Sequence, residues 1–465
     1  MAVFSVLPFE ESVRDQRWDA EAFTPYLRKL NQEFAESPRL TDLASVIHAS
    51  EIPRVYSDDA DAVPFLLAQN IKPFLPDTSK SFSIPSSVAS KIPINRLQHG
   101  DVLVTRSGAY SGVACVYLGK DGDFYTSGEG LIVRSRGGID GAYLVALLNT
   151  QAGQALCFRC MYGSGQPHLQ PRYLETIPVL RLGKAEEKVG RLIREAHNLI
   201  EAARNEYPEA ESELLKRMEW KDLEERASEL YYVKDFKALD AADRMDAEHF
   251  QPCYIRLRHH LQERGAEFLG RFCPEPNRGV QPEFVENGEI LVIDSKAVRP
   301  EGIAPDPAEC TSREFANSPN AAKGRIQKHD VLLNSTGRGT LGRAAHYDLD
   351  CPAIADNHVT IIRPDTSVCL PAYLSLFLNS PAGLAQSEMF QTGSSGQLEL
   401  YRQHIQQFLI FLPRTKGGKI DLAWQETLAA KIKSAARAKT EARQKLEAAK
   451  RLIEAAIARR RIKHS

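Results

Sequence analysis

Two stretches of the chain place apolar residues at alternating steps of three and four. From Ala185 they fall at Val189, Leu192, Ala196, Leu199, Ala203, Tyr207, Ala210 and Leu214. From Leu428 they fall at Ile432, Ala435, Ala442, Leu446, Ala449, Ile453 and Ala456. One face of a helix returns every ~3.6 residues, so a seam sustained over about four heptads predicts paired coiled-coil helices. The alanines let two backbones approach closely. Pro208 lacks an N–H and its ring crowds the preceding turn, so a kink or break is expected near Tyr207. The predicted spacer helices cover 184–222 and 415–465.

Ahead of each seam the pattern shortens to strand-like runs and glycine-marked turns. DVLVTRSG (101–108), LIVRSR (131–136), EILVIDS (289–295) and VTIIRP (359–364) read as strands. GAYLVALLN (141–149) and PAYLSLFLN (371–379) read as helices ending in Asn149 and Asn379. HFQPCYIRLRHHLQE (249–263) has the apolar spacing of a helix that Pro252 starts or bends. Each globular part is therefore mixed α and β.

These runs occur twice. RWDAEAFTPYL (17–27) and RMDAEHFQPCY (244–254) agree at six of eleven places with an offset of 227. RLQHGDVLVTRSG (96–108) answers RIQKHDVLLNSTG (325–337), and AYLVALLNTQAG (142–153) answers AYLSLFLNSPAG (372–383), at offsets of 229 and 230. GSGQPHL (163–169) answers GSSGQLEL (393–400). Solenoid repeats have periods of roughly 20–50 residues, whereas this period is the size of a domain. The chain is thus predicted to be α+β, with two tandem duplicated domains at 1–183 and 223–414, each followed by a long helix. Two helices that hide their seams against each other in antiparallel fashion would make a rod of about 50 Å, or roughly 15 base pairs of DNA. Asp19, Glu21, Asp246 and Glu248 are expected to cap or orient the helix after the opening motif, where a carboxylate meets the positive helix end.

Composition changes this picture little. With 43% hydrophobic and 26% charged residues, each half can bury a core. No apolar run approaches the ~20 residues of a membrane helix, and MAVFSVLPFEESVRD lacks a charged n-region followed by an apolar core, so a cytoplasmic protein without a membrane is expected. Eight cysteines, at 115, 157, 160, 253, 273, 310, 351 and 369, show motif spacing only at Cys157-x-x-Cys160 and read as buried or incidental thiols. Twelve histidines show no metal-ligand spacing along the chain, and the adjacent His259 and His260 would face different sides of a helix, so no metal is expected.

Intrinsic catalysis finds no footing in the motifs. The Asn/Asp-Pro-Pro-Tyr/Phe element of amino-methyltransferases is missing, GRGTLG (337–342) has the GxGxxG spacing but opens no helix-like run, and no GxxxxGK[ST] occurs. Asp294-Ser295-Lys296 reads as a surface turn.

The doubled RxDAExFxP opening, the GDVLVTRSG and HDVLLNSTG runs, the AYL…LLN and AYL…FLN helices, the GSGQ and GSSGQ segments and the helix after each copy occur in a fixed order. Together they resemble the specificity (S) subunit of type I restriction-modification systems over nearly the whole chain. The resemblance implies two target-recognition domains, each reading one half of a split sequence in double-stranded DNA. It implies a helical spacer that docks two modification (methyltransferase) subunits. Chemistry would belong to the partners: modification subunits that bind S-adenosylmethionine and methylate adenine, and a restriction/translocase subunit using ATP and Mg. This chain would hold no cofactor and serve phage defence as a non-catalytic subunit. Departures are Pro208 and His329, which stands where the first copy has Gly100.

The turns after the DVLV and DVLL strands are the candidate base readers. Arg106, Ser107 and Tyr110 occupy the first, and Asn334, Ser335, Thr336, Arg338 and Arg343 the second. Gln166, His168 and Gln397 belong to the second glycine-rich segment of each copy. Arginine suits guanine O6 and N7, and Asn or Gln suits adenine. The same glycines serve equally to close a hairpin with solvated side chains. Formal net charge is only −1, so phosphate binding would need a local basic face. Residues 431–465 carry twelve Lys/Arg against three Glu, which reads either as solvated coiled-coil flanks or as a docking or phosphate surface. Two alternatives remain: a specificity subunit of a related phage-defence or modification enzyme, and a coiled-coil scaffold that binds protein. Salt-dependent, sequence-selective DNA binding separates the scaffold from the others.

Overall fold

The computed structural model describes residues 23–52, 55–79, 81–108, 110–163, 168–220, 233–242, 244–306, 309–393 and 398–464. They form two compact units, Met1–Ile200 with Glu441–Ser465, and Glu201–Thr440. Each unit takes its own stretch of both seams, a different cut from the linear division at 183, 222 and 414.

In the first unit α1 (Pro25–Glu33) precedes β1 (Ala44–His48), β2 (Val63–Leu66), β3 (Phe82–Ile84), β4 (Val102–Thr105), β5 (Ala114–Val116), β6 (Tyr125–Thr126) and β7 (Gly130–Ser135). Then come α2 (Gly141–Leu148), α3 (Gln151–Arg159), the short strands β8 (Met161–Tyr162) and β9 (His168–Leu169), and α4 (Lys184–Ala202). The main sheet is antiparallel in the order β1-β7-β4-β5, and a smaller sheet runs β3-β2-β6. Successive strand residues point to opposite faces. Val102, Val104, Ala114 and Val133 accordingly join the core built with α2 and α3. Leu103, Cys115 and Ile132 point the other way and meet Leu66 of β2. Apolar residues on both faces thus place the main sheet between helices and a second sheet.

The second unit repeats this plan after α5 (Glu206–Arg217) and α6 (Pro252–Glu263). Its strands are β10 (Asn277–Arg278), β11 (Ile290–Ile293), β12 (Cys310–Thr311), β13 (Arg325–Ile326), β14 (Val331–Asn334), β15 (Ala344–His346), β16 (Ala353–Ala355) and β17 (Val359–Ile362). The main sheet has the order β10-β17-β14-β15, equivalent to that of the first unit, and the second sheet is β12-β11-β16-β13. Helices α7 (Pro371–Asn379), α8 (Pro381–Phe390) and α9 (Leu422–His464) follow. Val331 and Leu333 face the helices, whereas Leu332 faces the second sheet.

Matched polar pins hold the two copies in the same frame. Asn149 and Asn379 each donate through Nδ2 to a carbonyl of the neighbouring strand, Ala114 O at 2.8 Å and Ala344 O at 2.6 Å. Buried Tyr143 and Tyr373 donate to Leu180 O and Phe411 O at 2.5 and 2.6 Å. Asp101 with Arg134 and Asp330 with Arg363 are bidentate pairs, each with a carboxylate that is almost wholly buried. An unpaired buried carbonyl or carboxylate costs more than a typical hydrogen bond contributes. These residues recur in both copies because both copies bury the same backbone groups.

The spacer predicted over 184–222 is two helices, not one. Between α4 and α5 the chain turns through Ala203, Arg204 and Asn205, with i→i+3 bonds from Arg204 N to Glu201 O and Glu206 N to Ala203 O, both 3.2 Å. Pro208 lies just beyond, as the third residue of α5, where an N–H has no intrahelical partner to lose. The break therefore precedes the proline. The last helix starts at Leu422 rather than 415, with Asp421 Oδ1 accepting from Trp424 N at 3.1 Å.

Along the seam Val189, Ala196, Ala203, Ala210, Leu214, Leu428, Ile432, Ala435, Ala442, Ala449 and Ile453 are buried, while Leu192, Leu199 and Leu446 are half-buried flanks. Ile193 and Ile457 are buried seam residues outside the simple spacing. In the second unit the pairs Arg217–Asp421, Lys431–Glu213 and Ser434–Glu206 run in opposite senses along the two helices, so α5 and the start of α9 are antiparallel. In the first unit Lys445 meets Glu195 at 2.9 Å.

The opening motif has another task than capping. Arg17, Asp19 and Glu21 lie outside the described residues. In the second copy Asp246 does not cap α6. It pairs with Arg244, which also donates to Phe390 O and Gln391 O, and it accepts from His249 N. The motif ties the incoming chain to the end of α8. Glu248 is exposed.

Candidate nucleic-acid interface

The turns after β4 and β14 are built by the same backbone bonds. Arg106 N donates to Glu129 O, and Ser335 N to His358 O. Gly112 N returns to Thr105 O, and Gly342 N to Asn334 O. The second glycine-rich segment then folds against each turn, with Leu169 N on Arg106 O and Leu400 N on Ser335 O, both 2.8 Å. Two segments about 60 residues apart in sequence thus converge in each unit. Gly108 and Gly337, at φ of 86° and 97°, occupy the left-handed region that the reversal requires.

Side chains on this shared frame differ. In the first unit Tyr110 is 68% exposed, with Lys72 Nζ 5.8 Å from its ring centre. Arg106 has a side chain only 20% exposed; it leans on Glu51 at 3.4 Å, and its Nε has no partner among the described residues. Ser107 donates to Glu129. His168 sits in β9 opposite Tyr162, which is 53% exposed, and its Nδ1 is buried with no partner among the described residues. Gln166 and Gln397 fall outside the described residues.

In the second unit burial sorts the turn residues. Asn334, Ser335 and Thr336 are buried: Asn334 Nδ2 donates to Ser295 O while its Oδ1 has no partner among the described residues, Ser335 Oγ donates to His358 O, and Thr336 Oγ1 lies 2.5 Å from His358 Nδ1. Their hydrogen bonds brace the turn. Arg338 is exposed, whereas Arg343 braces the turn through Gly339 O at 2.7 Å. The matched backbone bonds align Arg106 with Ser335. Exposed on or beside these segments are Lys72, Tyr110 and Tyr162 in one unit and Arg338 and Tyr401 in the other. Lys72, Tyr162 and Tyr401 escaped sequence reasoning because none lies on the turn itself.

Half of the twelve basic residues at 431–465 are paired with carboxylates. Lys431, Lys433, Arg437, Lys439, Lys445 and Arg461 each meet a carboxylate within 4.0 Å in their own unit. This favours the helix-flank reading over a continuous phosphate surface. The Cys157–Cys160 pair is buried and not disulfide-bonded, and burial pushes the Cys157 thiol up, away from the reactive thiolate.

Neither a protein-family model nor a curated protein sequence matches the chain. Among solved structures it is similar to the S subunit of a type I restriction-modification system from M. genitalium, at 11% identity over 91% of this chain and 95% of that one, with a TM-score of 0.46. It is similar to the HsdS subunit from Thermoanaerobacter tengcongensis at 15% identity, covering 91% and 95%, with a TM-score of 0.25. A chain from a structure describing assembly of the type I R-M system aligns at 14% identity, covering 91% and 96%, with a TM-score of 0.27.

Proposed function

We propose that this chain is a DNA-specificity subunit of a type I restriction-modification system, reading a bipartite, asymmetric site and directing partner subunits to it. What supports the reading lies in the chain itself. In both units two glycine-marked segments converge on one backbone frame, and the side chains on that frame differ. One frame carrying two sets of side chains suits two half-sites of different sequence, because backbone contacts position a protein on DNA and side chains discriminate bases. Two modification subunits would supply S-adenosylmethionine-dependent adenine methylation and a further subunit ATP- and Mg-dependent translocation and cleavage. No helix among the described residues is long and apolar enough to cross a membrane.

The test is reconstitution with type I modification subunits, followed by mapping of methylated adenines. A split asymmetric motif is expected with the complex, and no methyl transfer with this chain alone. Methylation by the isolated chain, or a short continuous site, would overturn the proposal. Binding indifferent to both DNA sequence and salt would favour a protein-binding scaffold instead.

A further inference from the structure

We propose that His329, His346 and Asp348 form a binding site for a first-row transition-metal ion of the zinc type in the second unit. His329 Nδ1 lies 3.1 Å from His346 Nε2 and 4.0 Å from Asp348 Oδ1. One ligand atom from each residue falls within 4.8 Å of the others. Metal–nitrogen bonds of about 2.0–2.1 Å at a tetrahedral angle hold two ring nitrogens about 3.3 Å apart, so the imidazoles already stand at ligand spacing. The carboxylate closes the remaining distance by a small side-chain rotation.

Strand pairing builds the site from residues that are far from motif spacing in the sequence. Val331 pairs with His346, and the ladder continues through His329 N to Tyr347 O at 2.9 Å and Tyr347 N to Asp330 O at 2.8 Å. The first unit has the same ladder, from Gly100 N to Tyr117 O and Tyr117 N to Asp101 O. It carries Gly100, Val116 and Leu118 at the matching places, which offer no ligand. His329 holds φ at 75° where Gly100 holds 89°, a left-handed conformation that is strained for a non-glycine residue. A histidine thus occupies a position that the backbone reserves for glycine, with its imidazole turned onto a second imidazole.

The surroundings select the class of ion. Two imidazole nitrogens and one carboxylate suit zinc, nickel or copper, whereas magnesium and calcium take oxygen ligands. Lys328, Lys433 and Arg437 also surround the group, with Arg437 3.8 Å from Asp348 and Lys328 paired to Asp350. Their charge opposes a cation held by Coulomb attraction alone. His346 is buried, and an uncharged imidazole there can offer a lone pair to a metal ion. The His329 side chain is 54% exposed, leaving a path to solvent and a coordination position for water.

Calorimetric titration of the tag-free full chain with zinc chloride at neutral pH, paired with thermal melts, tests the site. One bound equivalent and an upward melting shift are expected. His329→Gly restores the glycine of the first copy and relieves the left-handed histidine, so the variant should fold at least as well without metal. It should bind zinc at least about tenfold more weakly and lose the shift, as should Asp348→Asn. Cys351→Ser, removing the exposed thiol three residues beyond Asp348, should change neither. Failure to saturate, full binding by His329→Gly, or loss of binding in Cys351→Ser would overturn the proposal.

Discussion

Arg338 stands in solvent on a braced turn, while Arg106 turns back to Glu51, so single arginines on one kind of turn have different prospects. If Arg338 reads a base, Arg338→Ala weakens one half-site by ~1–3 kcal/mol and spares the other. A uniform loss across sequences in competition binding would assign it to phosphate. Asp356 offers a separate test. Burial raises its carboxyl to about 6, against ~3.9 unfolded. The folded state therefore holds this proton more tightly, and the stability it contributes is present below about pH 4 and lost as pH rises through about 6. Asp356→Asn, which keeps an oxygen for His358 N, should stabilise the protein at pH 7 by about 1–3 kcal/mol, with the gain vanishing near pH 4 in thermal melts. Residue types on the turns were legible in the sequence. Their orientation was not: Asn334, Ser335 and Thr336 looked like polar turn residues, and only the second sheet and His358 show that they are buried.

At the scale of elements the seam was legible because a 3.6 period needs no partner to be recognised, and the chain buries most of the residues it marks. The break was misplaced. Pro208 drew attention as the one residue that cannot continue a helix, yet the turn at Ala203–Asn205 forms from ordinary residues ahead of it. Proline in a first turn is compatible with the helix it begins. Pro208→Ala should therefore leave the break in place and shift stability by no more than about 0.5 kcal/mol in urea melts. A continuous helix through 203–205 in the variant would show that the proline makes the break. The proposed metal triad was invisible at this scale, since its ligands come from a strand, the loop after it and the turn before its partner strand.

For the whole molecule the duplication was plain from constant offsets, but the boundaries of the compact units were not. Sequence order sets the last helix apart from both domains, whereas its 43 residues are divided between the two units. Ala442, Ala449, Ile453 and Ile457 close the first unit's core over Val189, Ile193 and Ala196. Truncation after Thr440 should therefore speed amide exchange in α4 while β14 and β17 stay protected; equal loss in both units would contradict this. Division of that helix also has a consequence in time. A chain emerging from the ribosome presents the N-terminal unit first, yet that unit lacks one wall until the final helix is made. It waits through the synthesis of more than 200 residues with an apolar stripe uncovered. A premature stop anywhere in that interval denies the earlier unit its last wall as surely as it deletes the later one.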